Sequence, residues 1–441
     1  MLTKLKYWWQ EKRSSFWFVP SVMVLDAVVL ATILIVVDTS TSVDQEVIER
    51  WPLLFGSGAA GARGLLTAVA GSMITVAGLV FSITIVALSQ TSSQYTSRVI
   101  RNFMRDRVNQ GVLGVFVGIF AYCLVVLRTI RGGDEGMFVP ALAVLVGLLS
   151  ALVGIGVLIF FIHHISMSIQ ASSIIAGAAQ ETIAAVDHLF PEKLEEDEEE
   201  NRAGGFLISL AHRPWTGIPA CKTGYIESLD MNKMLATARE QRIILRMEHG
   251  VGEFIVEGTP LISVMNLLNP NDEMIARLNS IFTISRQRTV DQDASFGIRQ
   301  IVDIAMKALS PGINDTTTAI MCVDYLAAIM VRLATRRIEP PEYLDNGELR
   351  VIARGPSFES LLSESFDQIR QHGASNVAIM LRMLGALQTI ADQTTNAGRC
   401  REVQNKIQCI ADLAESSIEF PYDREKFQSR LVQVRKSFVR C

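Results

Sequence analysis

Four long apolar stretches fill the first third of this chain, at 16–37, 65–88, 112–127 and 138–162, and none recurs after them. A helix takes about 20 apolar residues to cross a hydrocarbon core of about 30 Å. The third stretch is the shortest and draws on Gly111 or Arg128 at its ends. The pattern predicts an integral membrane α-helical protein with four transmembrane helices and a C-terminal cytoplasmic α+β region. Its expected parts are a transmembrane domain (1–165), a helical extension with an acidic linker (166–203), a small β-rich module (204–268) and an α-helical domain (269–441).

Charge and cysteine usage place the chain further. A net charge of −4 argues against a nucleic-acid partner, which needs a concentrated basic patch. The six cysteines are scattered without a CxxC, which suits reduced thiols and neither a disulfide framework nor a zinc site. Lys4, Lys6, Lys12 and Arg13 precede the first stretch, and Arg98, Arg101, Arg105 and Arg107 follow the second. The other two loops hold only Arg50 and Arg63, then Arg128 and Arg131. By the positive-inside rule both termini are cytoplasmic. Trp8, Trp9 and Trp17 read as interfacial anchors, and the first stretch as a retained helix.

The second stretch carries a pattern of its own. At 100° per residue, Thr67, Gly71, Thr75, Gly78, Ser82 and Ser89 fall near one line, interrupted only by Ile85 and Val86. Two readings stand. Small residues allow close helix packing; a polar stripe with one apolar ring also suits a water-filled path with a dewetting gate, Ile85 and Val86 being the gate candidates. Asp26 lies inside the first stretch, where a carboxylate costs about 3 kcal/mol on insertion scales unless it is paired or wet. It reads equally as a proton or cation site and as a hydrogen-bond partner for a Ser or Thr of the second helix. Gly114 and Gly118 form a GxxxG packing device. His163 and His164 sit at the edge of the fourth stretch, as anchors or as pH-sensing groups.

Beyond the membrane, helical spacing continues through 166–189 without a break, as far as Pro191 and the acidic run 195–200. Short β-type runs at 225–229, 243–247, 253–256 and 261–264 then alternate with Gly and Pro, with a helix near 231–241. Helical periodicity resumes from Asn271. The densest polar segment runs from Arg288 to Asp315. Arg299, Asp303 and Lys307 form an i, i+4 ladder, Ser310-Pro311-Gly312 ends that helix, and Asn314 or Asp315 caps the next. In that next helix Ile320, Val323, Ala327 and Met330 face a core. Capping alone accounts for Asn314 and Asp315 without a ligand.

These residues carry a resemblance. Phe81-Ser82-Ile83-Thr84, Ser92-Ser93-Gln94-Tyr95 through Arg98, His163-His164-Ile165, Phe296-Gly297-Ile298-Arg299 and Ala308 to Asp315 resemble the bacterial inner-membrane proteins of the domain of unknown function 2254 family. The likeness covers nearly the whole chain. It departs where the family tends to place Pro and this chain has Ser97 and Thr316. It implies an inner-membrane protein and no particular activity. No P-loop, Rossmann, HExxH or GxSxG motif occurs, so no catalytic residue, metal or cofactor is expected. The expected function is an oligomeric channel-like protein, its path lined by the second helix and regulated by the cytoplasmic region. The alternative is a membrane-anchored scaffold or ligand sensor. Expected partners are the lipid bilayer and further copies of the chain, with any ligand or protein partner of the cytoplasmic region left open.

Overall fold

The structure is a computed structural model that describes residues 17–40, 58–94, 106–131, 138–191, 213–265, 267, 269–338, 342–345 and 347–438. Trp8, Trp9, Ser97, Arg98, Arg101, Arg105 and the acidic run lie outside these residues. The chain divides into two compact units, Met1–Ser173 and Ile174–Cys441.

The first unit contains α1 (Phe18–Ser40), α2 (Ala59–Gln94), α3 (Arg107–Thr129) and α4 (Ala141–Ser168), one for each apolar stretch. α3 packs against the other three, and glycine makes the approach possible. A Cβ on Gly114 would stand 2.5 Å from Met23 Sδ and 3.2 Å from Pro20 Cα; one on Gly118 would meet Ala27 Cβ at 3.6 Å. The GxxxG therefore joins α3 to α1. On α4, Gly147 and Gly154 do the same against Leu66 and Met73 of α2, at 2.8 and 3.1 Å. α2 buries Leu66, Ala70, Met73, Ala77, Val80, Thr84, Ala87 and Thr91, a heptad line facing the bundle.

Helical spacing through 166–189 predicts one unbroken helix, and the structure corrects this. α4 ends at Ser168, Ile169 and Gln170 intervene, and α5 (Ala171–Leu189) begins anew. Ser168 bends its hydroxyl back to the His164 carbonyl at 2.8 Å, the kind of side-chain competition that loosens a last turn.

The second unit mixes strands and helices. Its strands are β1 (Trp215–Pro219), β2 (Gly224–Leu229), β3 (Ile244–Met247), β4 (Phe254–Ile255), β5 (Pro260–Met265), β6 (Phe282–Ser285), β7 (Glu342–Asp345) and β8 (Glu348–Ile352). They form a five-stranded sheet in the order β1-β5-β3-β8-β7 and a three-stranded sheet in the order β4-β2-β6. Between β2 and β3 lies α6 (Met231–Gln241), capped by Asp230. The four expected β runs are β2 to β5. The sheets also draw β6, β7 and β8 from beyond residue 268, with β8 parallel to β3. The helices that follow are α7 (Asp272–Asn279), α8 (Ala294–Ala308), α9 (Thr316–Ala334), α10 (Phe358–His372), α11 (Val377–Gln393), α12 (Ala397–Ser417) and α13 (Pro421–Ser437). Val323 and Met330 of α9 are fully buried, and the helix packs on α8, α10 and α11.

Among the described residues five helices are long and apolar enough to cross a membrane: α1, α2 over Ala59–Thr91, α3, α4 and also α9.

Replacing Gly114 by Leu should destabilise the first unit by about 1–3 kcal/mol, the usual cost of overpacking against backbone. Thermal denaturation of the detergent-purified protein checks this; an unchanged melting temperature would show that α1 gives way freely.

Candidate functional site

The heptad line of α2 packs inward, so its opposite face is left bare. Thr67, Gly71, Thr75, Gly78, Ser82 and Ser89 all lie on this exposed side, and a Cβ on Gly71 or Gly78 would meet nothing within 4 Å. Ile85 and Val86 share that side, Val86 at 64% exposure. Packing within the chain's own bundle thus does not account for the stripe. Ser72 and Thr75 donate their hydroxyls to the Ala68 and Gly71 carbonyls one turn back, at 2.8 Å each.

Asp26 is exposed on α1, and among the described residues no hydrogen bond to a Ser or Thr of α2 holds it. His164 Nε2 lies 2.7 Å from Asp106 Oδ2, while Asp106 Oδ1 accepts from the Val108 amide and so caps α3. Phe160 stacks on the His164 ring; His163 points outward. One turn further along α3, Asn109 is buried with neither amide atom partnered among the described residues.

Sequence reading missed Asp106, Asn109 and Asp38. Asp38, at the end of α1, accepts from the Leu142 and Ala143 amides at 3.2 and 3.1 Å. It thereby caps α4 from a distant part of the chain, where Pro140 has no side-chain cap to give. Only the Asp preceding the α3 apolar run was a readable signal.

The Arg288–Asp315 segment folds as a joint. Asp293 caps α8 through the Phe296 amide at 3.0 Å and takes Arg288 on both oxygens, at 2.7 and 3.0 Å. Gly252, at φ +87°, comes so close that a Cβ would lie 2.4 Å from Asp293 Oδ2. Gln292 accepts from the Leu229 amide of β2, tying sheet to helix. Gly297 faces Thr182 of α5, with room for no Cβ at all. α5 is held again at Asp187, which accepts from Arg332 at 2.6 Å and from Arg336 at 2.7 Å. Arg299 pairs with Asp303 at 3.1 Å. Ser310 turns its hydroxyl onto the Lys307 carbonyl at 2.7 Å, Asn314 adopts φ +49°, and Asp315 caps α9 through the Thr318 amide and hydroxyl. The Thr318 hydroxyl, then its amide, holds the Asp315 carboxyl below the usual carboxylate range. Thr316, one of the two departures from the family pattern, is the first residue of α9 and takes a hydrogen bond from Asn376 at 2.8 Å. Among the described residues no group of His, Cys, Asp or Glu is placed to hold a metal ion.

Several membrane-length apolar helices followed by a region of strands and helices define a multi-pass membrane protein. The chain belongs to the DUF2254 family of predicted membrane proteins, whose sequence profile matches residues 13–389. It is similar to an uncharacterised protein of Mycobacterium bovis and another of Mycobacterium tuberculosis, each 33% identical over 380 residues that cover 84% of this chain and 72% of theirs. No solved structure matches the chain.

Asp315→Ala should lower stability by about 1 kcal/mol through loss of the cap. The folded state binds the Asp315 proton less readily than the unfolded chain does. Its contribution is therefore full above the unfolded carboxylate range, near pH 4, and lost as pH falls below it. Asp315→Asn should keep the cap and remove that pH dependence, as read from melting temperatures at about pH 7 and about pH 3, the second lying below the unfolded carboxylate range.

Proposed function

We propose that copies of this chain assemble in the membrane into an ion-conducting channel lined by α2 and regulated by the region after α4. One observation carries the reading: a face of glycine and hydroxyl residues on a membrane-length helix turns away from the chain's own bundle. Against lipid such a face gains nothing, whereas around a shared axis it wets a path. Ile85 and Val86 form the apolar ring at which the path dewets and closes. The spans are α1 to α4. α9 stays outside the bilayer, since it is the least apolar of the five and Asp324 on it pairs with Arg382 of α11. The Lys and Arg distribution supports cytoplasmic termini in a bacterial inner membrane. Regulation runs through α5, which follows α4 after two residues and is pinned by Thr182 and Asp187.

A second reading, a membrane-anchored scaffold or ligand sensor without conduction, draws on the turn before α9, where Ile313 is 43% exposed beside Asn314.

Ion flux into liposomes holding the purified protein tests the channel. Wild type should exceed empty liposomes, and Val86→Ser should exceed wild type by about tenfold, as wetting the ring removes about 1.4 kcal/mol from the barrier. Absence of flux from both proteins, across ions and membrane tension, would leave the scaffold. Ser82→Leu should reduce single-channel conductance; an unchanged value would take α2 out of the lining.

A further inference from the structure

The channel reading requires a contact between copies, and α1 and α2 carry two halves of one. Asp26 is exposed within an apolar helix and has no hydrogen bond or ion pair among the described residues. Hydrocarbon offers a carboxylate no partner. Whatever covers Asp26 brings polar groups at that depth.

Depth and direction follow from contacts already in the bundle. α1 runs parallel to α3, since Pro20 and Met23 meet Gly114 and Ala27 meets Gly118. α2 runs antiparallel to α3, since Arg63 near its start reaches the Ile130 carbonyl past the end of α3. The rings of Trp17 and Phe81 lie 6.4 Å apart and set a common level for α1 and α2. Asp26 is nine residues after Trp17, and Ser72 nine before Phe81. Nine residues rise about 13 Å, so on antiparallel helices Asp26 and Ser72 stand at the same depth. A second route agrees: Gly118 faces Met23 and Ala27, and the neighbouring Ile119 and Met73 both lie against Gly154. Nine residues also turn a helix by about 180°. Asp26 thus lies on the flank of α1 turned from the chain's own α2, and Ser72 on the flank of α2 turned from its own α1. Both are exposed.

We infer that a second copy of this chain covers Asp26: α1 of one copy packs against α2 of the next, the Asp26 carboxylate meeting the Ser72 hydroxyl. The hydroxyl rotates from the Ala68 carbonyl to the carboxylate. Val22 and Ile33 on one side and Ala68 and Leu79 on the other complete an apolar surround on exposed faces. The two faces differ, so the contact is head to tail and, repeated, closes a ring. The stripe from Thr67 to Ser89 then lies between the flank against the chain's own α1 and the flank against its neighbour's. This inference rests on the oligomeric part of the channel reading and not on conduction.

Paired cysteines test it. Asp26→Cys and Ser72→Cys are combined in a chain with Cys221, Cys409 and Cys441 changed to Ser, and membranes are oxidised with copper–phenanthroline. Within one chain the two thiols face opposite ways, so a disulfide between them joins separate copies. The expected result is a ladder of dimers and higher species from the double variant, with each single variant remaining monomeric. No ladder, or a dimer from Asp26→Cys alone, overturns the contact. Light scattering of detergent-solubilised variants covers the case in which the cysteine chain aggregates: Asp26→Asn should keep the oligomer mass of the wild type and Asp26→Leu should lose it, and equal masses overturn the inference. A ladder without ion flux would support the contact and sink conduction; flux without a ladder would do the reverse.

Discussion

The first unit depends on how closely its helices approach one another. In a bilayer the lipid tails are as apolar as the side chains, so burial alone draws no helix to its neighbour. Association rests on van der Waals contact and on hydrogen bonds that span helices. α3 supplies the first through Gly114 and Gly118, and α4 through Gly147 and Gly154. The second kind includes Asp38 on the α4 amides, Arg63 on the Ile130 carbonyl, Tyr122 on the Ala143 carbonyl at 2.7 Å and His164 on Asp106. Three of these four lie at the end of the bundle where α1 and α3 finish. None of the four involves the stripe of α2 from Thr67 to Ser89.

In the second unit capping takes over this role. Asp230, Asn271, Asp293, Asp315, Ser357, Asn376 and Asn396 each accept from an amide in the first turn of a helix. Arg399 performs the converse task, donating to the Leu333, Ala334 and Arg336 carbonyls at the end of α9. The Arg288–Asp315 segment is dense in polar groups because three junctions meet there: sheet to α8, α8 to α5, and α8 to α9. Gln292, Asp293, Ser310 and Asp315 bond to backbone at these junctions, while Arg288 and Arg299 pair with the carboxylates of Asp293 and Asp303.

Apolar length located α1 to α4, and short β-type runs punctuated by Gly and Pro located β2 to β5, because both signals are local. Asp315 was legible as a cap for the same reason. What stayed hidden depended on partners far along the chain. Asp38 caps α4 across 104 residues, and nothing beside it marks that use. β7 and β8 were lost among helical neighbours because a short strand pairing with residues 245 and 246 has no local pattern to announce it. The break at Ile169–Gln170 escaped because neither residue is a helix breaker. α9 is as apolar as a modest membrane span, since a helix buried on several sides and one immersed in lipid obey the same composition rule. For the stripe on α2, composition revealed the residues, and only packing revealed that their own chain leaves them bare.

The parallel pairing of β8 with β3 has a consequence for synthesis. β3 ends at Met247, and its partner is not complete until Ile352, about a hundred residues later. At ~5–20 residues per second the ribosome takes on the order of 5–20 s to deliver it. Throughout that interval one edge of β3 stands open while the preceding helices have already been committed to the bilayer. An unpaired strand edge of that kind invites pairing with a neighbouring nascent chain. The brevity of β3, four residues with Arg246 among them, limits that hazard until the sheet can close.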